Sequence, residues 1–115
     1  MHELSIAEGI IQAVEKTAIA AGVSRIISVH IAVGELAGVD ISALRFAWQS
    51  VTRDGLAQNA NLQIERPEGR AWCLDCATTV ALHRHGDPCP KCWGYHLAPT
   101  QGHELKVIDI EVPEE

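Results

Sequence analysis

All four cysteines of the chain lie between positions 73 and 92, in two pairs of identical spacing: Cys73-Leu74-Asp75-Cys76 and Cys89-Pro90-Lys91-Cys92. A Cys-x-x-Cys turn presents two thiolates on one side of a tight knuckle. Two such knuckles facing each other make a tetrahedral four-sulfur cage of the kind that suits Zn2+. Three other chemistries compete for the same residues. Two disulfides would need an oxidising compartment, and nothing marks the chain as secreted. A thioredoxin-like redox pair needs only one of the two motifs, and a βαβ context that neither has. Iron, as in a rubredoxin, fits the same cage, and spacing alone does not separate it from zinc.

A closed four-sulfur set has no open coordination position, so it is expected to hold a fold rather than perform chemistry. Residues 70–103, a segment like a zinc ribbon with Gly94 helping the second turn close, are too few to fold on a hydrophobic core alone. Metal binding would supply that folding energy. Any activity must then lie elsewhere.

The chain start offers a second set of donors. The α-amine of Met1, the amide nitrogen of His2 and its imidazole Nδ1 can close adjacent five- and six-membered chelate rings. Nitrogen-rich tetragonal sets of this kind suit Ni2+ or Cu2+. The amide or carboxylate of Glu3 could add a ligand. The plain alternative is a solvated histidine near a terminus. His83 and His85 flank Arg84 between the knuckles, with His96 and His103 further on. Because four cysteines already satisfy zinc, these read as solvated loop residues. The sharper alternative is that protonation of one, or its exchange with a cysteine, makes the zinc site respond to pH or nickel.

These groups need elements to position them. Leu4, Ala7, Ile10, Ile11, Val14, Ala18 and Ala21 share one helical face, which predicts a helix over about 5–21. Ser5 and Glu8 read as its capping box, and Gly22 as its stop. Residues 25–33 alternate and predict a strand, with His30 solvated on its less apolar face. Gly34 to Gly38 breaks that strand with a turn. Asp40 is placed to cap a second helix, with Ile41, Leu44, Ala47, Trp48 and Val51 on one face and Gly55 ending it. Phe46 and Trp48 read as core or edge packing.

A second strand is expected over 62–66, and Pro67-Glu68-Gly69 marks the boundary of the zinc module. Within the module, Trp72 and Trp93 are expected to pack together, and 80–82 to form a short strand. A last strand over 105–112, with a bulge near 108–110, is expected to return to the first sheet. The fold class is therefore α+β: two helices on a three-stranded sheet with an inserted zinc ribbon. The first domain would comprise 1–69 plus 104–115, and the zinc-ribbon domain 70–103.

The net charge of −6 is unevenly spread, with three basic and two acidic side chains in 70–103 and six and thirteen in the rest. No basic stripe is present, which argues against nucleic acid as a partner. His2, Glu3 and Glu8 stand where a signal peptide would need a basic and then an apolar segment. No apolar run approaches the roughly 18 residues of a membrane span. The expected location is the cytoplasm.

Several segments together resemble the HypA/HybF family of hydrogenase maturation proteins. They are the opening Met-His-Glu-Leu-Ser-Ile, the stretch Val33-Gly34-Glu35-Leu36-Ala37-Gly38-Val39, the helix Ala43-Leu44-Arg45-Phe46-Ala47-Trp48, the paired Cys-x-x-Cys motifs, and Gly102-His103-Glu104-Leu105-Lys106-Val107. The resemblance covers essentially the whole chain in order. It implies a non-enzymatic nickel metallochaperone that acts in [NiFe]-hydrogenase maturation. Nickel would bind at His2, with backbone nitrogens of the chain start and Glu3 close by, and Met1 belongs to that set. Zinc would bind at Cys73, Cys76, Cys89 and Cys92. Implied partners are a HypB-type GTPase and the hydrogenase large-subunit precursor, with urease served by some members; a homodimer is a further expectation. The first helix and the Gly34–Gly38 loop are candidate surfaces for the GTPase. Two details depart from the commoner pattern: Ala77 stands where glycine often follows the first knuckle, and Trp93 intervenes before Gly94. The rival readings are a zinc-ribbon interaction or nucleic-acid module and a rubredoxin-like electron carrier.

Overall fold

A computed structural model describes residues 2–114. Its elements in order are α1 (Glu3–Ala20), β1 (Ser28–Val33), α2 (Ile41–Val51), β2 (Asn61–Glu65), β3 (Arg70–Cys73), β4 (Thr78–Ala81), β5 (Leu97–Gln101) and β6 (Leu105–Glu111). Two three-stranded sheets result, ordered β2-β1-β6 and β4-β3-β5. The last strand thus returns to the first sheet, and the fold is the α+β arrangement with an inserted cysteine-bearing module. Backbone packing divides the chain into two compact units. One holds the chain up to Ile31, Val39–Ile64 and the chain from Val107 on; the other holds Ala32–Gly38 and Glu65–Lys106.

In the first unit, α1 packs against α2. Ala7, Ile11, Val14 and Ala18 are the buried stripe of α1, at the spacing of one helical face. The expected capping box does not form: the helix begins at Glu3, and its N-cap, His2, makes no side-chain capping bond. Ser5 and Glu8 therefore lie inside the helix, where the Glu8 N–H that a Ser5 cap would satisfy falls beyond the unpaired first turn. The stop is as expected. Gly22, with φ +74°, donates to the Ile19 carbonyl at 3.0 Å while Val23 donates to Ala18 at 2.9 Å, the paired bonds of a Schellman motif.

Asp40 caps α2 through Oδ1, which accepts the Ala43 N–H at 3.1 Å. Leu44, Ala47 and Trp48 are buried, but Phe46 is 76% exposed, against the expectation that it packs. At helical spacing Phe46 falls outside the stripe that its neighbours make. Nor does Gly55 end the helix. Thr52 ends it, its hydroxyl donating to the Trp48 carbonyl at 2.8 Å.

Val29 and Ile31 of β1 are fully buried, and Ser28 nearly so. Burial on both faces is the mark of a central strand. The Ile27 N–H, just before β1, donates to Glu111, and the Ile27 carbonyl accepts from Asn61.

In the second unit, β3 pairs antiparallel with β4 and β5. Of these strands the sequence pointed only to a part of β4. Cys73, Val80 and Cys89 form one small buried cluster, and Leu36, Ala71 and Leu82 another, with Leu97 against both. Trp72 and Trp93 are 41% and 71% exposed and do not shelter each other. Of the four cysteines only Cys73 lies on a strand, at the end of β3.

Candidate metal centres

Cys73 ends β3, Cys76 follows in the turn to β4, and Cys89 and Cys92 lie on the second knuckle. All four are free thiols whose sulfur atoms lie within 4.8 Å of one another. The Sγ atoms of Cys73 and Cys92 are 3.7 Å apart, and those of Cys76 and Cys89 3.9 Å. A tetrahedron with metal–sulfur bonds of about 2.3 Å has edges of about 3.8 Å, so the cage fits a tetrahedral thiolate ion. These separations are far too long for disulfides.

The two knuckles are built alike. The N–H of Ala77 donates to the Cys73 carbonyl, and that of Trp93 to the Cys89 carbonyl, each at 2.8 Å. Backbone N–H groups also face sulfur: Cys76 N–H to Cys73 Sγ and Lys91 N–H to Cys89 Sγ, both 3.4 Å. Such donors favour the thiolate. The backbone N–H of Cys92, with that of Lys91, draws Cys89 down to about 7 against the opposing effect of burial. Cys76 is pushed up to about 12, by its hydrogen bond to Cys92 and by burial. Protons are thus shared unevenly among four sulfurs, and a bound cation would displace them. Cys73 and Cys89 are fully buried, and the arrangement is consistent with zinc binding.

At the other candidate centre, Met1 lies outside the described residues. His2 is exposed and extended, with φ −89° and ψ 124°, and its carbonyl accepts the Ile6 N–H at 3.1 Å. Its imidazole makes no capping bond. Glu3 Oε2 accepts the Asp40 N–H at 3.0 Å, which ties the start of α1 to the start of α2. His2, Glu3 and Leu4 line a groove of about 330 Å³ with Ala43, Phe46, Ala47 and Ser50. The exposed Phe46 therefore borders the chain start, a juxtaposition that periodicity alone could not show.

The histidines of the second unit divide by partner. His83 Nδ1 is 2.9 and 3.0 Å from the two carboxylate oxygens of Glu35, and Glu35 Oε1 also accepts the Gly69 N–H at 2.9 Å. That pairing raises His83 and lowers Glu35 from their ordinary values. His96 Nδ1 meets Asp75 Oδ2 at 2.9 Å. His85 Nε2 lies 3.3 Å from the Leu36 carbonyl, and its ring lies against that of His103. None joins the four cysteines in a metal-binding group among the described residues. No described helix is long and apolar enough to cross a membrane.

A family model described as hydrogenase/urease nickel incorporation, metallochaperone, HypA matches residues 1–112. The hydrogenase maturation factor HypA of Azotobacter vinelandii is 46% identical over 112 residues, covering 97% of this chain and 99% of its own. That of Cupriavidus necator is 45% identical, covering 97% and 94%. Among solved structures, the solution structure of the nickel metallochaperone HypA from Helicobacter pylori superposes with a TM-score of 0.65 at 25% identity, covering both chains fully. With the fold, the cysteine cage and the length-wide match in agreement, the chain belongs to the HypA family of hydrogenase and urease nickel-incorporation metallochaperones, which are maturation factors and not enzymes.

Proposed function

We propose that this chain binds Ni2+ at its N-terminus, through His2 with Met1 and Glu3, and delivers it to the [NiFe]-hydrogenase large-subunit precursor. The observation that carries the reading is His2 itself: exposed, extended and free of any capping bond at the head of α1. Nitrogen donors there release metal when protonated or displaced, as a carrier requires. The Glu3 Oε2 atom is engaged with Asp40, so Glu3 contributes its second carboxylate oxygen or its amide. Zn2+ in the Cys73, Cys76, Cys89 and Cys92 cage holds the second unit, supported by sulfur separations near those of a tetrahedral site. The cargo belongs to 1–69 with 104–115 and the structural ion to 70–103. A HypB-type GTPase is a proposed partner, a second copy of the chain a further one, and four free thiols suit the cytoplasm.

The test is a nickel titration by calorimetry on zinc-loaded protein with a native chain start, beside His2→Ala. One saturable high-affinity site in the wild type and its loss in the variant is the expected result. Equal high-affinity binding in both removes His2 from the site.

A further inference from the structure

Three imidazoles of the second unit gather round the Gly34–Gly38 segment, and they are not equivalent. His83 is occupied by Glu35. His85 is held by the Leu36 carbonyl instead, at 3.3 Å from Nε2. A carbonyl only accepts, so Nε2 carries the proton and the neutral ring keeps a bare lone pair on Nδ1. The ring of His103 stands beside it, with centroids 5.3 Å apart and planes tilted by 38°.

The geometry points to His85 and His103 as an open two-imidazole site for a borderline divalent cation such as Ni2+, distinct from both the chain start and the cysteine cage. A metal lies about 2.1 Å from a ligating nitrogen, hence about 3.2 Å from the ring centroid. Two centroids 5.3 Å apart then subtend roughly 110° at the ion, which suits tetrahedral or cis-octahedral ligation. Ligating histidines characteristically donate their other ring N–H to a carbonyl or carboxylate, and the Leu36 carbonyl already fills that role for His85.

The support is pre-organised. Leu36 also donates its own N–H to the Gly102 carbonyl at 2.7 Å, so one residue fixes both segments that carry the rings. Gly102 is buried at φ +108°, packed on Gly69 with no space for a side chain, which sets the backbone just before His103. No third His, Cys, Asp or Glu side chain completes the set among the described residues. Water fills the other positions, so the ion binds more weakly than in a closed cage and exchanges readily. This site stands whether or not the chain start binds nickel.

The experiment uses full-length, zinc-loaded protein carrying His2→Ala, which removes the chain-start donor. Ni2+ alone is titrated and followed by calorimetry and by NMR of the imidazole nitrogens. The expected result is a further saturable equivalent that shifts or broadens His85 and His103 first, leaving His30 and His96 unaffected. His85→Gln and His103→Gln each weaken that binding at least ten-fold, while His83→Ala changes it less than two-fold. Absence of the equivalent, nickel effects centred on other histidines, or unchanged affinity in the double Gln variant each overturns the assignment. The NMR readout leaves both rings intact, so it does not depend on how the variants fold. Equal high-affinity binding in the wild type and His2→Ala would refute the chain-start reading and leave this one standing.

Discussion

Ala77 and Trp93 are counterparts: each follows the second cysteine of its pair, and both hold positive φ, +52° and +62°. Each also donates its N–H to the first cysteine's carbonyl at the same 2.8 Å. Left-handed backbone costs a residue with a Cβ about 1 kcal/mol or more. The strain is tolerated because the turn must close for the sulfurs to converge.

Replacement by glycine at either position therefore stabilises the metal-loaded protein. Ala77→Gly and Trp93→Gly are each expected to gain about 1 kcal/mol, since glycine adopts this backbone freely. Trp93 is 71% exposed, so losing its ring forfeits little packing. Thermal melts of the zinc form, with a chelator challenge beside them, check the gain. A lower melting temperature in both variants would contradict it.

Removing the ion acts on one unit first. Cys73 and Cys89 are the centre of a cluster that includes little besides Val80 and Leu97. Without a cation that cluster is too small to hold the segment. Hydrogen exchange after chelation, or in Cys73→Ser, is expected to show lost protection in β3, β4 and β5 while α1 and α2 keep theirs. Equal loss across the chain would contradict this.

Asp40 carries a separable contribution. Its Oδ1 accepts the Ala43 N–H, and its own N–H is held by Glu3. Asp40→Ala is expected to lower stability by about 1 kcal/mol, and Asp40→Asn by much less, because asparagine caps nearly as well. Denaturant melts compare them. A cost in both variants of equal size would assign the effect to charge instead.

The Glu35–His83 pair gives a pH signature. His83 is raised from 6.5 by its hydrogen bond to Glu35, so its contribution is complete below 6.5 and is lost as pH rises through the raised folded value. Glu35 is lowered from 4.5, chiefly by His83 and then by the Gly69 N–H, so its contribution is present above 4.5 and lost as pH falls through the lowered value. Their combined effect is greatest between those two pH values. The melting-temperature difference between wild type and His83→Ala is expected to be larger at about pH 6 than at about pH 8. His83 is exposed and Glu35 partly so, so the difference is small, and salt diminishes it.

What could be read without coordinates followed from local chemistry. The two Cys-x-x-Cys pairs, the Gly22 stop and the Asp40 cap each depend on residues within a few positions of one another. The Ser5/Glu8 pattern was local too, and misleading. It matches a capping box, yet the chain enters the helix two residues earlier, at Glu3, whose carboxylate reaches Asp40 across the fold. The exposure of Phe46 was implicit in the spacing of Leu44, Ala47 and Trp48, and aromatic character argued wrongly against it. By contrast, nothing in the sequence joins Leu36, His85 and His103. None of the three lies in a strand; the Leu36 N–H to Gly102 bond and the His85 contacts join them across the fold, and such partners are a long-range property.

Gly34, Gly69 and Gly102 bear on how such a sequence can vary. A Cβ on the first would meet the Gly102 carbonyl, on the second the Leu82 carbonyl, and on the third the Gly69 backbone. Backbone cannot step aside as a flexible side chain can. These positions are therefore not three independent letters but one spelling, in which no single replacement is repaired by another. In a randomised library sorted for retained metal, all three should return as glycine, while Gly9, with open space around it, should drift toward alanine.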